Sequence, residues 1–244
     1  MTCLRAAIEH LLDARLRPSV GTWGKAWRER REAFEASGDV ADLVPNYISA
    51  NSGELERLTE LRDDLVSRFM SDATAIWEFG CGSGYHLIDM AVKGEKRPLM
   101  GFDYSIEALK CISAANRRLG LDIGDRFFDL REAIPTYTIA PGTAVLTSGS
   151  LEQVGTDYRH FVEYMLRSKP LVVVNIEPLY ELYDESDLFD WMAAEYTRRR
   201  DYLRGYLPYL QQLEREGPVE ILEVKRGFVF LNHIGHSHVV WRPA

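Results

Sequence analysis

Apolar residues follow two rhythms along this chain, and the change comes near residue 74. Before it, apolar positions recur every three or four residues. Trp23, Trp27 and Phe34 in TWGKAWRERREAF mark one helix face, and Leu55, Leu58, Leu61, Leu65 and Phe69 in LERLTELRDDLVSRF mark another. Asn51 followed by Glu54 has the spacing of a capping box that opens the second helix. The aromatic positions of the first helix fit a packed core better than a ligand cage. Leu4, Ile8, Leu11 and Leu12 give a similar stripe at the start. Arg5, Glu9, His10, Asp13 and Arg15 among them leave no signal-peptide core.

From residue 74 onward, short apolar runs take over: AIWEF, LMGFD, RFFDL, TAVLTS and LVVVNIE. Most are separated by amphipathic stretches such as SIEALKCISAANRRL and TDYRHFVEYMLRS. Apolar runs that alternate with helices predict a doubly wound, mostly parallel α/β sheet. The connection between the third and fourth runs contains Pro135 and Pro141 and is less helical. A helical insertion is expected at about 184–216, interrupted at Pro208. VEILEVKRGFVFLNHIGHSHVVWRP then reads as a closing β-hairpin on the sheet edge. The expected organisation is a helical N-terminal lid over 1–70 and an α/β domain over 71–244.

The chemistry begins in WEFGCGSG, where Gly80, Gly82 and Gly84 follow the first strand. Ligands of open parallel sheets bind at the carboxyl ends of strands, and glycine lets backbone turn sharply and approach a ligand closely. A dinucleotide loop needs G-x-G-x-x-G, but that third glycine position holds Tyr85 or Leu87, depending on register. There is no phosphate-loop lysine either. Asp103 ends the second strand, 21 residues beyond Gly82, where a carboxylate can accept ribose hydroxyls.

This G-x-G-x-G, preceded by Glu78 and followed by Asp103, resembles the first motifs of class I S-adenosylmethionine-dependent methyltransferases. The resemblance spans about Thr74 to Pro178 and implies a Rossmann-like methyltransferase fold that binds S-adenosylmethionine. It implies that Gly80, Gly82 and Gly84 pass under the methionine part of that cofactor, and that Glu78 accepts from its ammonium group. Asp103 would hold the ribose, Asp129 and Leu130 would border the adenine, and His86 would approach the carboxylate. Tyr47 and Asn51, in PNYISANSGEL, are lid candidates for the methionine end.

The fourth strand leaves through LTSGSLEQVG, which lacks the Asn or Asp, two prolines and aromatic residue usual in methyltransferases acting on nucleobase or amide nitrogen. Twenty-nine basic against 37 acidic residues give a net charge of −8, which opposes nucleic acid as a partner. The runs RERR (Arg28 to Arg31) and RRR (Arg198 to Arg200) lie beside acidic residues and read as solvated helix faces. A small, hydroxylated acceptor is expected, with O-methylation favoured over N- or C-methylation. Glu152 and Glu177 are the candidates for proton transfer or substrate contact. Glu152 fits equally the first-turn acid of a capping box formed by Ser150 and Gln153. Tyr180 is placed to turn towards the crevice beside Glu177.

The remaining signals are weaker. His233, His236 and His238 cluster in HIGHSH; a metal site and a polar hairpin tip both fit, and no carboxylate lies close in sequence. No metal is expected. Cys3, Cys81 and Cys111 match neither a disulfide framework nor a zinc pattern, which suits a cytoplasmic protein. No apolar run approaches the ~20 residues of a membrane span. Two other functions use the same features: a non-catalytic cofactor-binding scaffold or sensor, and a nicotinamide-dependent oxidoreductase, which the missing third glycine opposes.

Overall fold

The computed structural model describes residues 21–44, 53–132, 137–230 and 233–244. Tyr47 and Asn51 lie outside the described residues. The elements are α1 (Gly21–Ser37), α2 (Glu54–Phe69), β1 (Ala75–Phe79), α3 (Tyr85–Val92), β2 (Leu99–Asp103), α4 (Ile106–Leu119) and β3 (Ile123–Phe127). They continue with β4 (Thr143–Ser148), α5 (Arg159–Ser168), β5 (Val172–Glu177), α6 (Leu188–Arg200), α7 (Tyr206–Glu216), β6 (Val219–Phe230) and β7 (His233–Pro243). Short 3₁₀ turns cover Val40–Leu43, Leu151–Val154 and Tyr180–Leu182.

The strands form one seven-stranded sheet in the order β3-β2-β1-β4-β5-β7-β6. The first five are parallel, and β7 runs antiparallel between β5 and β6. Strand order reverses at β1, so the carboxyl ends of β1 and β4 open a crevice between them. The expected hairpin is present, with β7 as its inner strand.

Both faces of the central strands are buried, which is why they read as continuous apolar runs. Leu146, Val174 and Val240 join one core with residues of α1 to α4. Val145, Val173, Val239 and Trp241 join the other with residues of α5 and α7. One polar group crosses the second core. Asn175 Oδ1 accepts from the Tyr206 hydroxyl at 2.8 Å and from Trp241 Nε1 at 2.9 Å, while its Nδ2 donates to Thr147 Oγ1 at 3.0 Å. Such a satisfied network fixes α7 in one register against the sheet.

Three boundaries differ from the sequence reading. The third strand ends at Phe127, so RFFDL contributes only its first two residues and Phe128–Leu130 lie beyond the sheet. The break in the helical insertion falls between Asp201 and Gly205, both left-handed, and Pro208 sits in the first turn of α7. A proline is tolerated there because a first-turn N–H has no helical partner. Ser150 and Gln153 do not form a capping box: Ser150 Oγ donates to Phe79 O at 2.9 Å, and Gln153 Nε2 donates to Gly149 O at 3.3 Å.

Candidate functional site

Beyond β1 the chain turns through Gly80, Gly82 and Gly84, at φ of 71°, 54° and 76°. Positive φ at alternate residues folds the backbone away from the strand and starts α3 at Tyr85. The turn is pinned to β2, since Gly80 N and Cys81 N both donate to Phe102 O, at 2.7 and 3.0 Å. At Gly82 a side chain would be obstructed as well as strained. A Cβ there would lie 3.1 Å from two ring atoms of Trp27.

A cleft opens above this turn. Its walls include Glu78, Gly80, Gly82, His86, Asp103, Asp129 and Leu130, so the structure brings together most of the residues singled out by sequence. Glu78 is 1% exposed, and its Oε2 accepts no hydrogen bond. Burial pushes its carboxyl up to about 8; Arg62 lowers it, while Asp103 and Glu177 raise it further. Asp103 Oδ2 accepts from Gly82 N at 2.9 Å, and its Oδ1 accepts from Ser105 N at 2.8 Å. Burial raises it to about 6 against the pull of these donors. Asp129 Oδ1 accepts from Arg131 N at 2.9 Å.

His86 is held neutral. Burial, then the charge of Arg62 and the proximity of His236, drive it down to about 3. Arg62 is itself fully buried between α2 and α3, where it pairs with Asp63 and Asp89. The Cys81 thiol is pushed well up by burial first and then by Asp103 and Glu78, so it behaves as a small filler of the turn.

The two proton-transfer candidates are placed differently. Glu177 is fully buried at the end of β5 and accepts from Ser150 N, Leu151 N and Glu152 N at 3.3, 3.1 and 3.1 Å. It therefore fastens the turn that leaves β4, and burial raises it to about 7. Glu152 is 7% exposed with Oε2 unpartnered. Burial, then Glu177, holds it well above the usual carboxylate range, and Arg200 opposes them. Neither glutamate is among the described residues lining the cleft. Tyr180 donates to Glu185 Oε1 at 3.1 Å and receives the charge of Arg198, away from that wall.

The sequence reads Trp23 and Trp27 as core; Trp27 is buried at 8% exposure, and both also line the cleft. Their rings stack with centroids 5.8 Å apart and planes 20° apart. A helical stripe carries no record of which neighbour it faces, so the signal available was only the tryptophan pair itself. Tyr104, Phe128, Arg131, Ser148, Ser150, Gln153 and Val154 complete much of the wall, and all but Ser150 and Gln153 went unnoticed. α1 is held there by Arg31 on Glu107 at 3.1 Å. Ser83 Oγ donates to Leu43 O at 2.6 Å, fastening the following 3₁₀ turn.

Two of the three clustered histidines are buried. His236 and His238 are each 1% exposed within β7. His236 Nε2 lies 3.4 Å from Glu54 Oε1, and His238 Nε2 lies 2.7 Å from Glu223 Oε1. Folding supplies carboxylates that the local sequence lacks. Among the described residues, no group of three or more His, Cys, Asp or Glu is arranged to hold a metal ion. Part of each basic run is paired with an acid: Arg28 and Arg31 meet Glu107, and Arg198 and Arg199 meet Glu195. No helix among the described residues is long and apolar enough to cross a membrane.

No protein-family model and no curated protein matches the chain in sequence. Solved structures do match in shape. The plantazolicin methyltransferase BamL, in complex with a triazolic desmethylPZN analog and SAH, aligns over 90% of this chain and 96% of its own at 14% identity, with a TM-score of 0.56. The magnesium protoporphyrin IX methyltransferase ChlM from Synechocystis PCC 6803, with bound SAH, aligns over 88% of this chain and 98% of its own at 12% identity, with a TM-score of 0.57. The chain thus has the α/β fold of class I methyltransferases, as the glycine motif implied.

Proposed function

We propose that this protein is an S-adenosylmethionine-dependent methyltransferase acting on a small, hydroxylated acceptor. The observation that carries the reading is the unpartnered Oε2 of Glu78, buried in the cleft with Asp103 beyond the glycine turn. A buried polar atom without a partner costs about 1–3 kcal/mol, and more if charged, so such an atom on a cleft wall calls for a ligand. A ligand ammonium fits it. Asp103 keeps free lone pairs for a diol, and Leu130 with Phe128 offers an apolar wall for a planar base. SAH is bound in the similar structures named above.

When bound, S-adenosylmethionine supplies an electrophilic methyl group on a sulfonium sulfur. The protein's part is to align an acceptor with that methyl, exclude water and remove any proton. The Ser148–Val154 turn borders the cleft, and Glu177 positions it through three N–H bonds. Ser148, Ser150 and Gln153 on that wall are neutral hydrogen-bonding groups, which suits a hydroxylated acceptor better than an anionic one.

Two measurements test the reading. Calorimetric titration with S-adenosylhomocysteine should show binding, and none at millimolar concentration would refute the cofactor assignment. Incubation with methyl-labelled cofactor and a metabolite extract should transfer label to a small molecule; binding without transfer would favour a scaffold or sensor.

A further inference from the structure

We propose that the face of Trp27, backed by Trp23, reads the positive charge of the sulfonium, and so tells the charged cofactor from its uncharged product. This rests on the cofactor reading above. The cleft has carboxylates on its β1 and β2 sides, Glu78 and Asp103, and the glycine turn runs between them. At that turn the Asp103 carboxylate is engaged by the backbone, its Oδ2 accepting from Gly82 N at 2.9 Å. What the chain places there is Trp27, with Cη2 and Cζ2 both 3.1 Å from where a Gly82 Cβ would stand.

The placement is fixed on several sides. Trp27 is 8% exposed, and its carbonyl accepts from Cys111 Sγ at 3.5 Å. α1 is tied to α4 through Arg31 and Glu107. Trp23 stacks on Trp27 and lines the same cleft. A tryptophan needed only for packing would leave the glycine turn covered by any large apolar side chain. A tryptophan face adds a negative quadrupole, which attracts a cation most strongly where water is excluded. Loss of the methyl removes the cation, so the contact weakens once transfer has occurred.

The test is the ratio of dissociation constants for S-adenosylhomocysteine and S-adenosylmethionine, measured by calorimetry on the full chain. Sinefungin, in which an amine-bearing carbon replaces the sulfonium, is a second cationic probe. Trp27→Leu should lower the homocysteine-to-methionine ratio about 3- to 30-fold, the value of a partly to fully desolvated cation–π contact. Sinefungin should weaken alongside S-adenosylmethionine. Parallel weakening of all three ligands, or no change in the ratio, overturns the inference and leaves the ring as packing. Should Trp27→Leu abolish all binding, Trp27→Phe decides, since it keeps a ring with a weaker quadrupole: a lowered ratio supports the inference and an unchanged one overturns it. Wild-type protein that binds none of the three overturns the cofactor reading itself.

Discussion

Replacing Glu78 with glutamine should change how the stability of the ligand-free protein responds to pH. The native carboxyl is pushed up to about 8, chiefly by burial, from an ordinary value of 4.5. The folded protein therefore holds this proton more tightly than the unfolded chain does. Its stabilising contribution is fully present below about 4.5 and is lost as pH rises through about 8. At ~1.36 kcal/mol per pH unit, the whole interval amounts to a ceiling on the order of 5 kcal/mol. Glutamine carries no such proton. Glu78→Gln should therefore gain on wild type progressively between pH 5 and 9, by up to a few kcal/mol, in urea unfolding without ligand. Asp103 and Glu177, also raised by burial, keep a residual slope in both proteins. Parallel curves, or a wild type that gains on the variant as pH rises, would refute a neutral, unpartnered Glu78.

Three further substitutions probe the site. Gly82→Ala combines a φ of 54° with a 3.1 Å approach to Trp27, so it should destabilise by about 1–3 kcal/mol in thermal or urea unfolding; an unchanged midpoint would contradict the observed turn. Asp103→Asn should weaken S-adenosylhomocysteine roughly 10- to 100-fold by calorimetry, the value of a charged acceptor, and an unchanged affinity would detach Asp103 from the nucleoside. Glu177→Ala strands three buried N–H groups and should cost about 2–5 kcal/mol, with Glu177→Gln recovering much of it. A full loss of turnover in Glu177→Ala at unchanged stability would mean that Glu177 acts on substrate instead.

The sheet was legible because its strands are buried on both faces. AIWEF, LMGFD and TAVLTS match β1, β2 and β4 in full, and LVVVNIE contains β5. RFFDL misled because β3 is an edge strand whose burial falls off along its length: Ile123 is buried while Phe127 is 52% exposed. The glycine and acid side of the cleft was legible for a different reason. Glycines at positive φ and acids at strand ends are demanded by backbone geometry, and the sequence must spell them out locally. The tryptophan wall was not legible, because Trp27 meets Gly82 only after α1 crosses the sheet's open end. Glu177 was hidden for the same reason. Its three N–H partners lie 25–27 residues away, so the sequence alone does not show that Glu177 fastens the turn after β4.

A crystal structure with S-adenosylhomocysteine bound would test the central claim most directly. The ammonium should lie within hydrogen-bonding distance of Glu78, the ribose hydroxyls on Asp103, and the adenine beside Leu130 and Asp129. A nucleoside seated elsewhere, or a Glu78 whose free oxygen still meets no partner, would contradict the account.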